Sequence, residues 1–176
     1  KLFGNIYKKN KMFFFKDYYE NYINFLCHIF NYLGININTS PVLDIERGKF
    51  NGIIGDRSFS TDKLIVSKLG KLCIEFHKKN KIGTIIKHVP GHGASNIDSH
   101  HFLPQTNLSR DNLIKNDFFP FMNSKSFFAM TAHVKYNNFD SKNSATHSKI
   151  IIDEIIRKKM KFKGIIMTDD ISMKAL

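Results

Sequence analysis

Arginine is scarce in a chain that is otherwise strongly basic. The 176 residues carry a formal charge of +12, yet arginine occurs only at Arg47, Arg57, Arg110 and Arg157. Readers of phosphates and bases favour arginine for its bidentate fork. Lysines scattered among Asn, Ile, Phe and Tyr read instead as the codon bias of an AT-rich genome, so no nucleic-acid partner is expected. The densest lysine run, Lys158 to Lys163, follows a segment of helical spacing, where cations suit the negative end of the helix dipole. Cysteine is nearly missing too: Cys27 and Cys73 each fall on an apolar helical stripe, which predicts two reduced, buried thiols and no disulfide. No apolar run approaches the roughly 18 residues of a membrane span, and nothing resembles a secretory leader. No membrane partner is expected from this pattern. No Gly-x-Gly-x-x-Gly follows the first β-rich stretch, which counts against a dinucleotide fold.

What is present alternates. A helix is predicted from about Asp17 to Leu33, on the stripe Tyr22, Phe25, Leu26, Ile29, Phe30 and Leu33, with Gly34 as its stop. Ile35 to Thr39 reads as a strand, and the chain then passes through Asp44 into a loop that reaches Arg57. Thr61 or Asp62 can cap a second helix that runs to about Asn80. A strand follows from Ile82 to His88, then a shorter helix from Ser109 or Asp111 to Phe118, with Pro120 bending or ending it. Phe127 to Val134 is a third strand. Ser148 caps a helix whose Ile151, Ile152, Ile155 and Ile156 face inward, and Gly164 to Thr168 is a fourth strand. Strict strand-helix alternation predicts parallel β, most often a (β/α)8 barrel or a doubly wound sheet. A barrel has eight strands in about 250 residues. The expectation is one partial barrel domain over residues 1–176, either its middle portion or a truncated product.

Polar groups cluster where the strands end: Asp44, then Lys87 and His88, then His133, then Asp169 and Asp170. The stretch Lys87 to His101 alone holds four histidines, an aspartate and two glycines. His88, His92, His100, His101 and Asp98 are ligand types for a metal, although their spacing matches no zinc motif. The two-residue offset of Asp98 and His100 suits another task. The carboxylate can accept from one ring nitrogen and leave the other for proton transfer. Asp169 is then a carboxylate able to attack an electrophilic carbon, and such a nucleophile with a proton donor is the minimum for retaining glycoside hydrolysis.

Lys87-His88-Val89-Pro90-Gly91-His92-Gly93 followed by Asp98-Ser99-His100 resembles the signature of family 3 β-N-acetylglucosaminidases (β-hexosaminidases), cytoplasmic enzymes that trim GlcNAc from peptidoglycan fragments. Pro41 to Asp44, Gly55 to Ser60, Met130 to Val134 and Phe162 to Met173 are similar to further blocks of that family, in the same order. The resemblance implies a (β/α)8 TIM barrel and a retaining two-step mechanism with no metal or other cofactor. It implies Asp169 as nucleophile, His100 as acid/base on a mobile loop, and Asp98 as the partner of His100. Arg57, Lys87 and His88 correspond to sugar-binding residues. The implied partner is a carbohydrate, GlcNAc-containing muropeptides, handled by a full-length monomer. Asp170 is expected to be structural and His92 to shape the loop, while His101 has no implied role. Two departures matter: the family's Asp-x-Glu-Gly-Gly-x-Val-x-Arg block is absent, and Val89 stands where Phe is common. Beside the glycosidase stand two rival readings, a catalytically incomplete barrel remnant and a metal-dependent hydrolase built on the His/Asp loop.

Overall fold

The computed structural model describes residues 1–10, 12–47, 54–95, 103–122 and 124–173. Two helices open the chain, α1 (Leu2–Lys9) and α2 (Met12–Tyr32), followed by the short strand β1 (Ile37–Asn38). Then come α3 (Lys63–Lys79), β2 (Gly83–Val89), β3 (Gln105–Thr106), α4 (Arg110–Lys115) and β4 (Phe128–Thr131). The described chain closes with β5 (Lys135–Tyr136), α5 (Ile151–Lys159) and β6 (Ile165–Met167). The main sheet has the order β1-β2-β4-β6, every pair parallel. A helix separates each pair of sheet neighbours in sequence, as in a TIM barrel. A second, two-stranded parallel pair, β3 with β5, was not legible in the pattern. Among the described residues, β1 pairs only with β2 and β6 only with β4.

The helix between β1 and β2 forms where its caps and its stripe agree. Asp62 accepts from the Leu64 amide at 2.8 Å, and Leu69, Leu72, Cys73 and Phe76 are buried along α3. At the far end the Asn80 side chain donates to the Phe76 carbonyl at 2.8 Å. Gly70 lets the Leu43 side chain come close, since a Cβ there would stand 2.3 Å from it. The core lies in two parts. One fills the space between the sheet and the helices α3 to α5, around Leu43, Ile86, Val89, Phe118, Ala129 and Ile156. The other joins α2 to α3 through Phe15, Tyr19, Ile23, Cys27, Leu69 and Phe76.

Several expected elements change. The α2 helix begins at Met12, and its buried positions are Phe15, Tyr19, Ile23 and Cys27. The stripe expected to face inward is largely outside, with Phe25 66% and Leu33 62% exposed. This helix is apolar on two sides, so periodicity alone cannot choose between them. Of the third expected strand, Phe128 to Thr131 form β4, and Ile37–Asn38 is what remains of the first. The short helix stops at Lys115, and Pro120 sits in a single tight turn, Phe119–Phe121. In α5 the turns widen to π spacing, with the Met160 amide donating to the Ile155 carbonyl. That winding buries Ile151, Ile155 and Ile156 and leaves Ile152 half-buried. Ser148 caps it as expected, accepting from the Ile151 amide at 3.2 Å. Both cysteines are free and buried. No described helix is long and apolar enough to cross a membrane.

Candidate active site

The polar groups gather at the C-terminal ends of the parallel strands, the end at which barrel enzymes place their chemistry. Asp44 follows β1 and is completely buried. Its carboxylate accepts from the His88 amide at 3.1 Å, from His88 Nδ1 at 2.7 Å and from the His92 amide at 2.7 Å. Burial drives the Asp44 carboxyl upward, but the two histidines outweigh it and hold the group below its ordinary range. A carboxylate has only acceptors to offer, so the hydrogen lies on His88 Nδ1. His88 Nε2 then faces the Asp169 Oδ2 at 3.7 Å.

Asp169 stands just beyond β6 with its side chain 28% exposed. Its Oδ1 accepts from the Asp170 amide at 2.9 Å, which leaves Oδ2 toward the site. Asp170 serves the backbone instead, since its Oδ1 accepts from the amide and hydroxyl of Ser172 at 2.8 and 2.7 Å. Lys87 is half-buried next to His88. Burial pulls its amine down, and the Arg57 guanidinium adds to that, while Asp169 and Asp44 oppose it. Arg57 itself is exposed, in the single turn Gly55–Arg57. That turn is anchored by the Ser58 hydroxyl, which contacts the Asp44 carbonyl at 2.7 Å. Arg57, Lys87, His88 and Asp169 are thus brought to one face.

The loop after β2 begins in tight quarters. A Cβ at Gly93 would lie 2.0 Å from the Ile45 carbonyl oxygen, and one at Gly91, where φ is +146°, would lie 2.7 Å from that of Asp117. The Tyr136 hydroxyl donates to the Gly91 carbonyl at 2.8 Å. His92 is buried with Nδ1 2.9 Å from the Ser95 hydroxyl, and burial pushes its pKa down to about 4. It is therefore neutral, a wall of the loop. Asp98, His100 and His101 lie outside the described residues. Among the described residues, no group of three or more His, Cys, Asp or Glu could hold a metal ion. His133, at the end of β4, donates from Nε2 to the Asp170 carbonyl at 3.0 Å, and its Nδ1 lies 2.8 Å from the Thr146 hydroxyl.

Two ionic features went unread in the sequence. Asp44 was visible only as a strand-end carboxylate, although its apolar neighbours Leu43 and Ile45 signal burial, and a buried carboxylate must find donors. The fully buried Asp117 pairs with Arg47, whose Nε donates to Oδ1 at 2.9 Å while Nη2 contacts Oδ2. Burial raises the Asp117 carboxyl and Arg47 partly restores it. No local pattern links these two positions.

Parallel strands that alternate with helices and bring a buried Asp-His pair and a half-open carboxylate to one end are the arrangement of part of a TIM-barrel-like domain. Residues 26–176 match the N-terminal domain of glycosyl hydrolase family 3, and the chain belongs to that family. It is 37% identical over 143 residues to a β-hexosaminidase of Tolumonas auensis, covering 79% of this chain and 42% of the relative. It is 33% identical over 158 residues to β-hexosaminidase A of Pseudoalteromonas piscicida, covering 81% and 26%. The fold superposes on native NagZ from Neisseria gonorrhoeae with a TM-score of 0.90 at 31% identity, over 97% of this chain and 50% of that one. The chain therefore spans half or less of the length of each of these relatives.

Proposed function

We propose that this chain takes part in retaining hydrolysis of terminal β-linked GlcNAc, with Asp169 as nucleophile and His100, oriented by Asp98, as acid/base. In the first step the imidazolium of His100 gives its proton to the glycosidic oxygen while Asp169 attacks the anomeric carbon from the opposite face. The aglycone leaves and a glycosyl-aspartate forms. In the second step neutral His100 takes a proton from water, the hydroxyl adds to the anomeric carbon, and the Asp169 carboxylate is released with the β configuration retained. Arg57, Lys87 and His88 hold the sugar. The substrates are GlcNAc-containing muropeptides, the work is peptidoglycan recycling in the cytoplasm, and the full-length enzyme is a monomer.

The observation that carries this reading is the approach of His88 Nε2 to Asp169 Oδ2 at 3.7 Å, beside Lys87 and Arg57, in a chain related to named β-hexosaminidases. The test is hydrolysis of an aryl β-GlcNAc by the full-length protein and by its Asp169→Ala variant, for which a loss of about 10³-fold or more is expected. Parental turnover by Asp169→Ala would remove the nucleophile assignment. A second reading is GlcNAc binding by this domain without turnover. Saturable binding of GlcNAc with no hydrolysis by the full-length protein would select it.

A further inference from the structure

We propose that Asp44 is a positioning residue whose single buried carboxylate sets the ring of His88 and the start of the loop at His92 together. The proposal rests on the reading of this strand-end face as a glycosidase site. Oδ2 takes the Nδ1 hydrogen of His88 at 2.7 Å, and Oδ1 takes the His92 amide at 2.7 Å. The His88 amide lies across both oxygens at 3.3 and 3.1 Å. All three donors are buried, so each needs its acceptor. The ring bond fixes His88 as the Nδ1–H form and turns Nε2 toward Asp169. At 3.7 Å that nitrogen is beyond direct hydrogen-bond reach of the carboxylate and is free to meet a substrate hydroxyl. The amide bond holds His92 where the chain leaves β2, six residues before Asp98 and eight before His100 in the sequence. Asp44 thereby ties the group that orients the sugar to the root of the segment proposed to move the proton.

An amide at this position would test both ties with little change of volume. Asparagine has one acceptor oxygen, and its NH₂ would face His88 Nδ1, which favours the opposite tautomer. The measurement is ¹⁵N NMR of the full chain labelled at histidine, with Asp44→Asn alongside. The parent is expected to show His88 as Nδ1–H with a hydrogen-bonded ring proton, and the variant to shift toward Nε2–H. With an aryl β-GlcNAc, kcat of the variant is expected to fall about 10- to 100-fold, with KM changing far less. An unchanged tautomer, or an altered tautomer with parental kcat, overturns the proposal. Should Asp44→Asn fail to fold, the parent decides: His88 as Nε2–H overturns it and Nδ1–H upholds it. If the full-length protein that contains this chain hydrolyses nothing, the glycosidase reading fails, while the assignment of the tautomer to Asp44 still stands or falls on the spectra alone.

Discussion

His88 Nε2 and Asp169 Oδ2 lie 3.7 Å apart although their strands are not neighbours, because β4 runs between β2 and β6. The two side chains reach over the end of β4, where Thr131 contacts Thr146 and His133 turns to the Asp170 carbonyl. The pair differs in burial, and that difference is measurable. His88→Ala leaves the enclosed Asp44 carboxylate short of its ring donor and is expected to cost about 3 kcal/mol in urea unfolding. Asp169→Ala removes a partly solvated group and is expected to change stability by less than about 1 kcal/mol. Equal losses for the two variants would contradict this account of the site.

The Gly93 backbone touches the Ile45 carbonyl so closely that a methyl group at 2.0 Å has no space. Gly93→Ala is expected to displace the loop root and destabilise the chain by about 1–3 kcal/mol. Thermal unfolding reads the loss, and a parental midpoint would show that the two backbones do not pack as described.

Acid should weaken the fold through two carboxylates. The Asp44 carboxyl, raised by burial but lowered more by the histidines, lies below its ordinary value. Asp140 falls to about 2, because the amides of Lys142 and Asn143 and the side chains of Asn143 and Ser148 outweigh its slight burial. A depressed carboxyl contributes stability that is present above the unfolded pKa, roughly 3.9, and is lost as pH falls through the folded value. Asp117, raised by burial, acts in the opposite direction: its contribution is present at low pH and lost as pH rises through its folded value. Urea midpoints are expected to fall between about pH 4 and pH 2, and Asp44→Asn and Asp140→Asn are each expected to flatten that decline. Unchanged slopes in both variants would refute the assignment.

Both thiols should be silent in the native chain. Burial pushes Cys73 up to about 12 and raises Cys27 as well, between α2 and α3. A thiol-disulfide exchange reagent at about pH 8, below both shifted values and near the ordinary cysteine pKa, is expected to react only after urea is added. Immediate reaction without urea would mean that the α2 and α3 faces are not in contact.

The sequence by itself determined the alternation of strands and helices, the cap at Ser148, and the strand-end positions of Lys87, His88 and Asp169, since periodicity and capping are written within a few residues, while the structure chose Asp62 over Thr61 and Ser109 over Asp111 as the other two caps. Tertiary structure alone decided the inward face of α2, because a helix apolar on two sides is oriented only by what packs against it, here α1 and α3. It likewise decided the pairing of Asp44 with His88 and of Arg47 with Asp117. Those partners are distant along the chain, and a buried charge takes whichever donors the fold brings to it.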